Sequence, residues 1–282
     1  MRLFHKGLFF ARIFTSTTLL IILGVIIINR NPNLFFFDAF AKSFPWAGSG
    51  SLEDPFIINS LEDLIALRDS VNSGTSFEGF NFLQTSNIDL GKSNLWIPIG
   101  EFGSGNYFYG TYDGGSNQII NLNFGSCKII NSNNGGLFGT LGGQVLNLGI
   151  ESGRIEGDYV GSIASHSIGD RAAIINCYNK ATIIGSGRAG GICDNFTGGS
   201  VINCINYGNV SAAESAQIIS YNADYCLNVF PIENAVNANY RGILANYISS
   251  NDVDYRDFLN KGIEYLHSAD ILPESELKYW SY

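Results

Sequence analysis

Apolar residues fall into short clusters that recur at long intervals, not at helical spacing. Gly135-Gly136-Leu137-Phe138-Gly139 leads into Val145-Leu146-Asn147-Leu148-Gly149-Ile150. The same phrase returns as Gly161-Ser162-Ile163-Ala164-Ser165 before Ile174-Ile175-Asn176-Cys177-Tyr178-Asn179, and as Gly190-Gly191-Ile192-Cys193-Asp194 before Val201-Ile202-Asn203-Cys204-Ile205-Asn206. A worn copy, Ala216-Gln217-Ile218-Ile219-Ser220, precedes Tyr225-Cys226-Leu227-Asn228. Leu137, Ile163, Ile192 and Ile218 align at intervals of roughly 20–30 residues, the range of a solenoid repeat. No copy holds a helical period long enough for a leucine-rich or armadillo repeat. Two short β-rich pieces cannot bury an apolar face alone, but stacked copies can, each strand pairing with its equivalents above and below. The pattern predicts an all-β fold, a right-handed parallel β-helix with short capping helices at both ends. Leu148, Cys177, Cys204 and Cys226 share a register that points inward. Asn147, Asn176 and Asn203 lie one residue earlier. They either point outward or mark a corner where stacked amides bond to each other.

The flanks carry different patterns. Leu61, Leu64, Ile65, Arg68 and Val71 keep helical spacing after Ser60, with Asp63 placed for a capping box and Ser73-Gly74 as the stop. This predicts a helix over 60–73 that caps the first coil and covers its open strand edges. Phe80, Phe82, Tyr107, Phe108, Tyr109, Tyr112 and Phe124 make 80–124 an aromatic end, read as core packing in preference to a sugar-stacking platform. After Asn228 the repeat stops. Ile243 to Ile248 can add a strand, and Val253, Phe258, Leu259, Ile263 and Leu266 predict a C-terminal cap helix. Residues 1–12 are basic and precede an apolar run from Ile13 to Ile28, the layout of export machinery. Ala39-Phe40-Ala41 offers a cleavage site, and retention as a signal anchor competes with cleavage. The expected organisation is therefore 1–41 signal peptide or anchor, 42–79 lead-in segment and cap helix, 80–228 β-helix, and 229–282 last strand and helical cap.

At Gly136-Leu137-Phe138-Gly139 the chain resembles the GLUG-motif repeat proteins of bacteria, and the later copies keep the small-small-aliphatic pattern without the last glycine. The resemblance extends over about residues 47–228, through Gly48 to Pro55, Ile88-Asp89-Leu90, Trp96 to Gly100 and Gly110 to Gly114. It implies an extracytoplasmic β-helix of the kind found in adhesin-like chains and immunoglobulin A peptidases. Those peptidases carry a separate zinc domain with an HExxH helix. His5, His166 and His267 lack that context, so the resemblance brings no peptidase activity.

Composition narrows the function classes. Over 282 residues the formal net charge is −9 with 33 glycines, which suits a many-cornered rod and argues against nucleic acid or an anionic membrane as partner. The membrane enters only through an uncleaved N-terminal segment. Cys127, Cys177, Cys193, Cys204 and Cys226 show no zinc spacing and read as reduced core thiols. Asp252, Asp254 and Asp257 lack the glycine and distal glutamate of a calcium loop and read as an acidic helix start. A polysaccharide lyase or glycosidase needs carboxylates in register on one face. Asp113 reads as an Asx turn. Glu151, Arg154, Glu156, Asp158, Asp170, Arg171, Lys180, Arg188 and Asp194 read as turn charges at unlike offsets. No catalytic, cofactor or metal residues are assigned. The expectation is a non-enzymatic surface or secreted binding and adhesion module with a glycan or a host or matrix protein as partner. A structural envelope component is the alternative, and an enzyme resting on Asp113, Asp158 or Asp170 with Arg171 the third.

Overall fold

A computed structural model describes residues 44–125, 134–195 and 198–213, and the strands Ser215–Gln217, Ala223–Asp224 and Leu227–Asn228. The expected export segment 1–41, the C-terminal strand and helix of 229–282, Cys127 and Cys226 lie outside the described residues.

The chain is a parallel β-solenoid. Its longest sheet has seven strands, Phe56–Ile58, Asn81–Gln84, Thr111–Asp113, Gln144–Leu146, Ala173–Ile175, Ser200–Ile202 and Ala223–Asp224, each beside its sequence equivalent in the next coil. Six short strands from Ile88–Asp89 to Leu227–Asn228 form a second wall. Leu122–Phe124, Gly153–Gly161, Thr182–Gly190 and Val210–Ala212 form a third, and Phe138–Leu141, Ala164–Ser167 and Cys193–Asn195 a fourth. Every pairing among these strands is parallel, so each coil's main-chain groups are satisfied by its neighbours rather than within the coil.

The repeat phrase is a corner device. A Cβ on Gly136 would stand 2.1 Å from the carbonyl oxygen of Gly161, so this position admits only hydrogen where two coils touch. Leu137, Ile163 and Ile192 follow it and are fully buried, as aligned. Phe138, Ala164 and Cys193 occupy one rung, which bears out Cys193 as the packing equivalent of Phe138. The last glycine, Gly139, is needed because residues 100–102 cross over it. A Cβ there would lie 2.5 Å from the Gly100 oxygen. Ser165 and Asp194 follow on the same rung in the next coils. In the worn copy the strand pairing sets Gln217, not Ala216, beside Gly190. That is one residue on from the aligned register. The coil before it runs 27 residues without a bulge, from Ile183 to Val210 and from Arg188 to Ser215.

The interior is continuous from Trp46 to Ala212. Leu148, Cys177 and Cys204 stack inside it as buried residues, and Cys177, Cys193 and Cys204 are free thiols. The asparagines one residue earlier take the corner alternative. Asn147, Asn176 and Asn203 have φ of 52°, 56° and 50°, the left-handed region that asparagine tolerates better than other side chains with a Cβ. Their amides form a one-way chain: Asn203 Nδ2 donates to Asn176 Oδ1 (2.6 Å), Asn176 Nδ2 to Asn147 Oδ1 (3.2 Å), and Asn147 Nδ2 to Asp113 Oδ1 (3.0 Å).

The helix Leu61–Asn72 forms where the pattern predicts it. Ser60 Oγ accepts from the Asp63 N–H (3.1 Å), and Asp63 Oδ2 accepts in return from the Asn59 N–H (3.1 Å). Leu64, Leu67 and Val71 are buried in the first coil's core. Leu67 was not part of the predicted stripe. Arg68, which was, folds its guanidinium over the Trp96 ring at 5.1 Å. Asn72 locks the helix to the coil, donating to Pro98 O and accepting from the Gly100 N–H. The aromatic end is core packing: Phe80, Phe82, Phe108, Tyr112 and Phe124 are buried, with Trp46, Phe56 and Phe77 packed among them. The exceptions are Tyr107, half-buried, and Tyr109, exposed.

Candidate binding groove and the corner beside it

The outer surface is not uniformly flat. A groove of about 310 Å³ crosses the coils where the strands of the seven-stranded sheet begin. Its floor is glycine: Gly110, Gly142 and Gly143 come immediately before or near Thr111 and Gln144. Close contacts crowd both glycines before Gln144. A Cβ on Gly143 would meet the Gly110 oxygen at 2.0 Å, and one on Gly142 would meet the Tyr109 ring at 2.4 Å. The Tyr109 ring therefore rests on bare backbone and is 37% exposed.

Asn81, Thr111 and Gln144 form a polar row across the groove, since Asn81 pairs with Thr111 and Thr111 with Gln144 on successive strands. Asn81 Nδ2 also donates weakly to Gly50 O (3.3 Å). No described residue hydrogen-bonds the side chains of Tyr109, Thr111 or Gln144. The walls are Ile168 and Asp170 on one side and Glu78 on the other, with Arg171 Nη1 bridging to Glu78 Oε1 at 3.1 Å. Both partners of that bridge are well exposed, so it contributes little to stability. Tyr109 and Ile168 are two of the exposed large apolar side chains, and a third, Phe102, stands next along the same corner.

There Phe102 stacks on His166 at 4.2 Å, and Tyr159 meets the same ring edge-on. Arg188 lies over Tyr159 and pairs with Asp194 at 3.1 Å. Ser165 Oγ sits 2.5 Å from His166 Nδ1. Burial, helped by the Arg188 charge, pushes His166 down to about 4. Burial pushes Asp194 up to about 6 even though Arg188 opposes it. The constellation has a serine and a histidine in contact, and the Asp194 carboxylate, on the rung of Ser165, pairs with Arg188.

The remaining predicted acids are separated. Asp113 makes the expected Asx turn, accepting from the Gly115 N–H at 2.8 Å, and also from Asn147. Burial raises its pKa against those two bonds. Asp158 is bonded to Ser186 Oγ on another wall. Glu151 pairs with Lys180 and Arg154 with Glu156 at the surface. Asp194 corrects the turn-charge reading. It is fully buried on the rung of Gly139, with Arg188 as its ion-pair partner at 3.1 Å. Asp170 and Arg171 do come together, in the groove. Among the described residues, no group of three or more metal-ligating side chains exists, and no helix is long and apolar enough to cross a membrane.

The fold defines the class, a parallel β-solenoid. No family model matches the chain. It is 30% identical over 162 residues to halomucin from Haloquadratum walsbyi, covering 54% of this chain and 2% of that very long protein. A crystal structure from Bacteroides ovatus, provisionally described as an immunoglobulin A1 protease, is 23% identical with a TM-score of 0.43 over 64% of this chain and 70% of that one.

Proposed function

We propose that the protein is a non-enzymatic binding module that acts outside the cytoplasm, at or beyond the cell surface, and takes its partner in the groove around Tyr109. The observation that carries this reading is the groove itself: an exposed tyrosine and isoleucine beside unpaired amide and hydroxyl groups, all held on a stacked, rigid scaffold. Such a surface offers contact area without the enclosure that transition-state stabilisation requires. The basic and apolar N-terminus and the likeness to halomucin support an extracytoplasmic place. The acids argue in the same direction. Asp113, Asp158 and Asp194 each hold a structural bond, and Glu78 is tied to Arg171.

The reading is tested in two steps. Fractionation of the source cells locates the chain, and recovery only from the cytosol would overturn the surface role. Binding of the purified chain to whole cells and matrix preparations is then compared with Tyr109→Ala. At least a tenfold loss is expected with unchanged folding. Incubation with neutral and acidic polysaccharides, calcium included, tests the enzyme alternative. New reducing or unsaturated ends that vanish with Asp170→Ala would establish a hydrolase or lyase instead.

A further inference from the structure

We infer that the groove takes an uncharged, extended polysaccharide lying along the solenoid axis, with successive sugars on successive coils. This rests on the binding-module reading above and adds the chemistry and direction of the ligand.

Direction comes from the polar row. Asn81, Thr111 and Gln144 stand on three neighbouring parallel strands in register, so their spacing along the axis is the strand spacing of about 4.8 Å. A polymer of pyranose units in extended form repeats at a similar distance, and each unit can present a hydroxyl to the same kind of group on each rung. Chemistry comes from what the groove leaves open. A peptide strand would need a free sheet edge for main-chain bonding, and the strands lining this groove are paired on both sides within the stack. What remains is amide, hydroxyl and one tyrosine face, the complement of sugar hydroxyls and the apolar face of a pyranose ring. Charge excludes the acidic sugars. Asp170 and Glu78 border the groove, Arg171 is neutralised by Glu78, and the whole chain carries −9. A uronate or sulfated chain would meet net repulsion.

Titration calorimetry of the full chain with cello-, xylo-, laminari- and chito-oligosaccharides of increasing length, and with oligogalacturonates, tests this. Affinity for a neutral series is expected to rise with each sugar across the three rungs and then level off. Gln144→Ala and Thr111→Val should each weaken it by about 3- to 10-fold, the effect of one lost hydrogen bond, without changing the melting temperature. Oligogalacturonates should bind at least tenfold more weakly, and Asp170→Asn should narrow that gap. Equal affinity for uronates, an affinity independent of length, or no binding of any neutral series would overturn the assignment. If cell binding still depends on Tyr109 in that event, only the sugar assignment falls; if it does not, the binding-module reading falls with it.

Discussion

Asn176 shows how much one residue can be asked to do. Its backbone turns a corner at φ 56° while its buried amide donates to Asn147 and accepts from Asn203. Asn176→Ala should cost about 2–4 kcal/mol in urea unfolding, combining a left-handed backbone without compensation and unpaired buried amides. Asn176→Gly should recover about 1 kcal/mol of that by relieving only the backbone part. An alanine variant as stable as the parent would dismiss the ladder as ornament. Asp194 offers a titration instead. Its pKa rises on folding from 3.8 to about 6. The folded state therefore holds the proton more tightly, and this group's contribution is full below pH 3.8 and lost as pH rises through 6. His166 has the opposite sign, lowered from 6.5 to about 4, so its contribution is lost as pH falls from 6.5 through 4. Asp194→Asn should gain stability relative to the parent as pH is raised from 4 to 7, followed by thermal melting. A relative loss over that range would mean the Arg188 pair outweighs burial. Cys204 is a simpler probe: thiol labelling of Cys177 and Cys204 should be slow in the native chain and fast in denaturant.

At the scale of elements, the helix Leu61–Asn72 and the strand phrases were legible because each depends on a local rule. The Ser60–Asp63 cap and the glycine-aliphatic corners announce themselves over a few residues. Leu67 escaped because helical spacing was traced through Arg68, whose aliphatic stem and stacked head lie on the Trp96 ring and behave as part of the apolar face. If the helix protects the first coil, deleting 60–73 should expose the edge of Phe56–Ile58 and drive association, visible by light scattering. A truncated chain that stays monomeric and equally stable would remove that role. Loss of the last glycine in the repeats was also visible, but its meaning was not. At Gly139 the site lies under residues 100–102, and at Asp194 it holds a buried carboxylate paired with Arg188; the repeat phrase announces neither partner.

For the molecule as a whole, architecture was readable and the groove was not. Tyr109, Gln144 and Ile168 come from three coils, and no short motif contains them. A faint signal existed: Gly110, Gly143 and Gly199 each stand one residue before a strand of the same sheet. A recurring glycine at one phase means backbone left bare along one line of the surface. Gly142→Ala tests whether that bareness matters. The methyl would occupy the seat of the Tyr109 ring. Ligand binding should fall by an amount comparable to Tyr109→Ala while the fold persists, and undiminished binding would show that the ring's seating is irrelevant.

The amide chain through the corners also has a sense of direction. Each asparagine gives a proton toward the earlier coil and offers an oxygen to the later one, and the series ends at Asp113, which only accepts. At the other end Asn203 Oδ1 has no partner among the described residues. Asn147 and Asn176 thus each bring one donor and one acceptor to the series. A coil-length copy spliced between Asn176 and Asn203 would continue the series without disturbing either terminus. Across these corners the rod is a cassette array, able to lengthen by duplication of whole coils.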